Sequence, residues 1–533
     1  MVSITVYGGA RTIGGNKILL EDGDTRLFFD FGTDYHTRGR YFAEFLNPRS
    51  SQGLLDPLVT GLIPALEGLY RDDLVPQAGL WAEMADSPHY RRLESVEGVL
   101  ISHAHMDHLG HVSFLRTDIP IYASAMTAVI AKAIQDSSGS GLESEYVYAT
   151  ERVAAGGIIK ASSSKESPYI SRPYVFADLP SVPEDVADFW TQKPLKEREL
   201  SALARADLAA SAGRCGLRAF PVDHSIYGAT AWAVETGAGW VVYTGDVRTH
   251  GRRSGTTEAF VRAAAELEPR VVLCEGTRLP ELLEAPRSPI GEAAVLERAL
   301  AEVKEARGIV VADFAPRNIE RLETFLTVAK ECGRKLVVLS KDAYLLAAMR
   351  TLDRAIPTVA TTSELLLWED SKASLPAWQE RLCDSLTAQM VGPSAIRGHE
   401  GEYIMCWSLW DLPHLVDLRP AGGKFIYSSS EVYDEEGAAD IGRVQNWASL
   451  FGMDTVGLPR EVAPGRWEIA PEERGLHASG HADARDIIDM IKAIRPKMLI
   501  PVHTEHPEIF KRELADTDIE VRIPSLGEQI TIG

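Results

Sequence analysis

The sequence predicts an α/β protein built in two parts, and three observations predict it. A glycine-punctuated run of short apolar strands opens the chain, between Ile4 and Gly32. Later apolar strands each end in an imidazole or a carboxylate, at His103–His108, His224, Asp246, Glu275 and His503. Between about 280 and 470 short strands alternate with helices. Strand ends that carry donor side chains imply a sheet framework converging on one site, and strand–helix alternation implies a parallel sheet. With 533 residues the chain exceeds one ordinary core. The composition change near 280 and its reversal near 470 place an inserted domain, 280–470, between two parts of a first domain, 1–279 and 471–533.

Taken in order, Ile4–Tyr7, Lys17–Leu20 and Arg26–Phe31 form an antiparallel meander broken at Gly8-Gly9, Gly14-Gly15 and Asp22-Gly23. Asp30 closes its last strand, either as a turn residue or as an acceptor for a neighbouring histidine. The stretch 34–88, rich in Pro, Gly and aromatics, reads as an elaborated loop near the mouth of a site. Val99–Ile101 is a buried strand that delivers Ser102-His103-Ala104-His105-Met106-Asp107-His108 to its end. Strand Ile119–Ala123 and helix Ala125–Asp136 follow. The polar stretch 137–214, with a helix over 196–211, reads as a cover for the site or a contact with a second copy.

Strands Arg218–Val222, Trp240–Thr244 and Arg270–Cys274 then end at His224, Asp246 and Glu275. In the inserted part, strands 308–312, 335–339, 403–406 and 424–427 alternate with helices 316–331, 342–352 and 435–451. The last part carries Gly475-Leu476-His477-Ala478-Ser479-Gly480-His481, a helix over 483–494, and the strand Lys497–Val502 before His503. A Ser-Gly-His turn at a helix start offers backbone amides to a phosphate.

Composition narrows the function classes. Hydrophobic content of 45% and charged content of 25% describe a soluble globular protein. No run reaches the length of a membrane span, and the first residues enter a strand instead of a signal peptide. The five cysteines, Cys215, Cys274, Cys332, Cys383 and Cys406, have no zinc-finger or CxxC spacing and suit reduced thiols in a cytoplasm. A net charge of −21 argues against a chain coated in basic surface, leaving room only for a local basic channel.

The chemistry rests on the loop after Ile101. Three imidazoles and a carboxylate within six residues supply nitrogen and oxygen donors for two neighbouring cations, and the donor set suits zinc. His111 extends the cluster, either as a packing residue or as a support behind a ligand. Arg248, His250, Arg252 and Arg253 make a basic loop after Asp246, either a solvated face or a contact for a phosphate backbone.

Asp30, His103-x-His105-x-Asp107-His108, His224 and Asp246 resemble, in order, the signature series of the metallo-β-lactamase fold. Glu275, His481 in Ser-Gly-His and His503 in Pro-Val-His are similar to the three added motifs of the β-CASP nucleases. The glycines around Arg11 and the His477–Ala482 segment most resemble the ribonuclease J group. The resemblance implies an αββα metallo-β-lactamase sandwich with an inserted β-CASP parallel α/β domain. Two departures stand out. His503-Thr504-Glu505 replaces that group's usual His-Gly-Glu, and thirty residues after His503 leave out its separate C-terminal domain.

Position by position, the resemblance implies that His103, His105 and His224 hold one zinc, and that Asp107, His108 and His503 hold a second. Asp246 would bridge both, with manganese as the alternative metal. Asp107 would also orient the nucleophile, and His481, oriented by Glu275, would serve the leaving group. His477 and Ser479 would bind a neighbouring phosphate, and Asn318, Arg321, Ser428, Ser429 and Ser430 match nucleotide-contact loops. The implied function is a cytoplasmic ribonuclease, endo- or 5′-3′ exonucleolytic, that forms a homodimer. The competing readings are a thioesterase or lactonase on the same scaffold, a DNA nuclease, and a non-catalytic RNA-binding subunit.

Overall fold

The computed structural model describes residues 1–43, 45–138, 141–163, 167–192, 194, 216–283, 290–371, 374–429, 435–463 and 466–533. The helix predicted over 196–211, Cys215 and Ser430 lie outside them. The chain divides into two compact units. The first comprises Met1–Thr249, Arg253–Pro286 and His481–Gly533, and the second His250–Arg252 and Arg287–Gly480.

Two large sheets form the body of the first unit. A seven-stranded sheet runs in the order Tyr174–Phe176, Ile121–Ala123, Gly98–Leu100, Thr25–Phe31, Lys17–Asp22, Val2–Gly8, Gln529–Ile532. Its meander half is antiparallel and its other half parallel. A six-stranded sheet has the order Leu217–Pro221, Thr230–Thr236, Gly239–Tyr243, Val271–Cys274, Met498–Pro501, Glu520–Val521. Period-two alternation explains how its central strands serve two cores at once. Val271, Leu273, Tyr243 and Ile500 face the first sheet across a core shared with Ile4, Ile18, Phe29 and Leu100. Val272, Cys274, Val242 and Leu499 point the other way, onto outer helices.

Helix Ala484–Ile494 packs there through Ala484, Ile487, Ile488, Ile491 and Ile494, the stripe its 3.6-residue repeat predicts. Helix Ala125–Ser137 buries eleven of its thirteen residues. The result is an αββα sandwich. The strand Tyr174–Phe176 is a departure from expectation, because the 137–214 stretch is in part integral to the first sheet. Its neighbour Arg172 is fully buried and donates to the carbonyls of Ser113, Leu115 and Glu145, which anchors the segment.

Register positions the site. Tyr243 pairs with Leu273, and Leu273 with Ile500, so the three parallel strands end level. The residues just beyond them, Asp246, Glu275 and His503, therefore leave the sheet at one rim. In the first sheet Phe29 pairs with Leu100, which brings Asp30 alongside Ser102.

The second unit is a seven-stranded, wholly parallel sheet in the order Met390–Val391, Leu365–Trp368, Lys335–Val338, Tyr403–Cys406, Ile309–Asp313, Gly423–Tyr427, Met453–Val456. Four of the strands were legible as short apolar runs alternating with helices, whereas Leu365–Trp368, Met390–Val391 and Met453–Val456 were not. Among the described residues no helix is long and apolar enough to cross a membrane.

Candidate metal centre

All seven donors come from turns at strand ends of the first unit. After strand Gly98–Leu100 the chain extends through His103 and His105, then turns into the one-turn helix Met106–Leu109, which carries Asp107 and His108. His103 Nε2 lies 3.0 Å from His105 Nδ1, and His224 Nε2 lies 3.2 Å from the same atom. Four donors of one coordination tetrahedron with zinc–nitrogen bonds of about 2.0–2.1 Å are spaced about 3.3 Å apart, close to this pair of distances. A second group joins Asp107, His108, Asp246 and His503. Asp246 Oδ2 is 3.1 Å from His108 Nε2, and 3.7 Å from both His103 Nε2 and His503 Nε2. His503 Nε2 is also 3.2 Å from Asp107 Oδ2.

The far nitrogens of three rings are already committed, which decides their tautomers. His108 Nδ1 donates to Asp30 Oδ2 at 2.7 Å. Asp30 also accepts from the Ser102 amide (2.7 Å), the Ser102 hydroxyl (2.8 Å) and the Tyr243 hydroxyl (2.6 Å). His103 Nδ1 donates to Ser102 Oγ at 3.0 Å, and His503 Nδ1 donates to Thr277 Oγ1 at 3.0 Å. Each of these rings therefore turns an unprotonated Nε2 toward the cluster. The buried Asp246 Oδ1 makes no hydrogen bond. A buried acceptor left over beside converging imidazole lone pairs fits a cation.

The cluster's electrostatics differ from ring to ring. Burial lowers the pKa of His103 and His224 well below the usual histidine value, and neighbouring imidazoles add to it. Burial also opposes charge on His108, but Asp246, Asp107 and Asp30 outweigh it and raise its pKa. Burial would neutralise Asp107, and His108 and His503 overcome that to hold it ionised. Its side chain is 24% exposed against 2% for Asp246, so Asp107 is the carboxylate of this pair that solvent reaches.

One candidate ligand and one residue that supports a ligand have uncommon backbones. Asp30 and His503 adopt φ of 53° and 50°. A left-handed residue costs roughly 1–2 kcal/mol, offset here by the four hydrogen bonds to Asp30 and by the His503 amide bonding Gly9 O at 2.8 Å. Glu275 accepts from the Val247 amide (2.8 Å), Thr277 Oγ1 (2.7 Å) and His481 Nδ1 (2.9 Å). Burial opposes the charge on His481, and Glu275 and Asp246 raise its pKa to about 9. Ser102 and Thr277 were not singled out from sequence. A hydroxyl directly beside a strand-end ligand is the signal that marks both.

The residues predicted to contact substrate belong to the second unit. His477 Nδ1 donates to the Ser429 carbonyl at 2.8 Å, and its pKa falls to about 4 through burial, with Arg321 adding to it. Arg321 is 1% exposed and bonds Glu292 (2.8 Å), Ser428 Oγ (2.7 Å) and the carbonyls of Leu476 and Ala478 (3.3 Å each). Its guanidinium is spent on the turn that carries His477. Asn318 Oδ1 accepts from the Arg321 amide and caps helix Ile319–Glu331. Ser428 Oγ donates to Leu476 O at 2.6 Å, and the Ser479 carbonyl accepts from His250 Nε2 at 3.1 Å. The basic loop after Asp246 also reads differently in three dimensions. Arg248 is buried against Asp223 (2.9 Å), and Arg253 lies 3.7 Å over the Tyr227 ring. Arg252 bonds Glu323. His111 is buried, edge-on to Phe114.

Comparison with known proteins agrees with this picture. Residues 471–524 match the family described as the Zn-dependent metallo-hydrolase RNA specificity domain. The chain is 22% identical to ribonuclease J of Mycolicibacterium smegmatis over 77% of its own length and 59% of that protein. It is 21% identical to ribonuclease J of Mycoplasma pneumoniae over 94% of this chain and 68% of the relative. With ribonuclease J of Pyrococcus abyssi the identity is 22%, over 78% and 75%. A crystal structure of a protein of unknown function from Enterococcus faecalis V583 superposes with a TM-score of 0.64 at 19% identity, covering 99% of both chains. The chain thus resembles the β-CASP ribonucleases of the metallo-β-lactamase fold, and its α/β architecture is theirs.

Proposed function

We propose that the chain is a metal-dependent ribonuclease that hydrolyses RNA phosphodiester bonds at the His/Asp cluster. The observation that carries the reading is the convergence of Asp246 Oδ2 with His103, His108 and His503 beside the His481–Glu275 pair. In this reading His103, His105 and His224 hold one cation, Asp107, His108 and His503 a second, and Asp246 is shared. When bound, zinc or manganese supplies Lewis acidity, which acidifies water and offsets charge on phosphoryl oxygens. Asp107, ionised and reachable from solvent, accepts a hydrogen bond from the attacking water and aligns it. His481 is kept protonated by Glu275 through Nδ1, which leaves its Nε2–H to donate to the departing oxygen. A P–O bond to the water oxygen forms as the P–O bond to the leaving group breaks, the leaving oxygen takes the His481 proton, and the proton given up by the water passes to solvent, from which His481 is reprotonated. Ser479 binds a substrate phosphate, and His477, neutral with its one N–H spent on the Ser429 carbonyl, holds the turn in shape. Arg321 and Ser428 position the turn that carries those two residues.

Purified protein incubated with labelled single-stranded RNA, single-stranded DNA and a thioester, with and without chelator, tests this. RNA cleavage abolished by chelator and by Asp107→Ala or His105→Ala is the expected result. Thioester turnover without RNA cleavage would replace the reading with that of another hydrolase on this scaffold. Comparing 5′-phosphate with 5′-hydroxyl RNA resolves exo- from endonucleolytic action. Elemental analysis and light scattering check the two remaining parts of the proposal, two cations per chain and a homodimer.

A further inference from the structure

The segment that begins at Asp34 exposes the aromatic rings of Tyr35, Tyr41 and Phe45. Its start is tied to the ligand loop by backbone bonds. The Thr33 amide donates to Met106 O at 2.8 Å, and the amides of Gly15 and Asn16 donate to Asp107 O at 3.0 and 3.2 Å. A Cβ on Gly15 would lie 2.8 Å from Asp34 Cβ, so the glycine loop that carries Arg11 and the start of helix Tyr35–Tyr41 are in contact.

That helix has no buried residue. Seven residues with none of them buried gain little from folding, because short helices depend on packing. Yet Tyr35 is 55% and Tyr41 47% exposed, and the Arg40 guanidinium lies 5.6 Å over the Tyr41 ring. Just beyond, Ala43 and Leu46 exchange two backbone hydrogen bonds of 3.0 Å, and Phe45 between them is 95% exposed. Turn positions ordinarily take Gly, Asn, Asp or Ser. A phenylalanine there, with most of its surface in water, serves a partner.

We infer that Arg40, Tyr41 and Phe45 form a stacking platform for single-stranded RNA that leads into the metal cluster; the inference rests on the ribonuclease reading. Charge favours this occupant. Helix Tyr35–Tyr41 carries no acidic residue, and while Arg38 is paired with Glu143 at 2.7 Å, Arg40 lies on the Tyr41 ring within a chain of net charge −21. Exposed aromatic rings with an arginine laid on one of them match the way sequence-tolerant single-strand binders hold bases.

The test compares wild type with Tyr41→Ala/Phe45→Ala on bis(p-nitrophenyl) phosphate, a trinucleotide RNA and a twenty-nucleotide RNA. Expected is unchanged turnover of the diester, trinucleotide cleavage within about twofold, and kcat/KM on the long RNA lower by tenfold or more, given the usual worth of stacked bases. Tyr41→Phe/Phe45→Tyr, which keeps both rings, should restore the long-RNA rate. Equal losses on all three substrates, or no loss on the long RNA, overturn the platform. So does a wild-type dimer that becomes monomeric in the double alanine variant, since the face then binds a second copy. A wild type that hydrolyses the diester but neither RNA defeats the ribonuclease reading, and the platform falls with it.

Discussion

At the scale of single residues, the hydroxyls of Ser102 and Thr277 and the carboxylate of Asp30 decide what the histidines can do. Each takes the proton of a far ring nitrogen, and so leaves the near nitrogen free for a cation. Removing such a partner typically lowers metal affinity about 10–100-fold while the ligands stay in place. Thr277→Val keeps the volume and removes the acceptor for His503. It should weaken zinc binding by that factor in competition with a chromophoric chelator, with little change in far-ultraviolet circular dichroism. Unchanged affinity would mean that another group orients His503. The donors themselves were legible in the sequence, since His, Asp and Glu at strand ends are conspicuous. Ser and Thr at the same places are ordinary turn residues, and only the coordinates distinguish them. Arg248 and Arg321 teach the converse. Read along the chain they are surface cations, whereas in the fold each is buried against a carboxylate.

At the scale of elements, helix Ala484–Ile494 shows how far periodicity reaches. Its isoleucine stripe was readable, and Ile491 is fully buried beneath it. Ile491→Ala should cost about 2–5 kcal/mol by cavity formation, measured by denaturant unfolding. Strand Ile309–Asp313 carries a different liability. Burial, reinforced by Asp411, raises the pKa of Asp313 to about 7. An unfolded aspartate ionises near 3.8, so between that pH and 7 the folded chain binds the extra proton. Stability on this account falls as pH rises through that window, by on the order of 4 kcal/mol once it is crossed. Asp313→Asn should therefore raise the melting temperature at pH 8 and leave it nearly unchanged at pH 4. Equal shifts at both pH values would rule out the titration of Asp313 as the cause.

At the scale of the molecule, the donors of the cluster come from both sheets of one sandwich and from chain positions as distant as His103 and His503. A cation that binds only this folded arrangement stabilises it by mass action, about 4 kcal/mol at a thousandfold excess over Kd. Chelation should accordingly lower the thermal transition, and added zinc should restore it in a concentration-dependent way. A melting curve indifferent to both would mean that no cation occupies the cluster. The sequence by itself determined the α/β class, the strands that end in donors and the identity of those donors, because apolar periodicity and ligand chemistry are local properties. The tertiary structure alone decided that Tyr243, Leu273 and Ile500 end level, that Tyr174–Phe176 joins the first sheet, and which arginines face carboxylates instead of solvent. Those outcomes depend on strand register and burial between segments tens to hundreds of residues apart, and no local pattern encodes them.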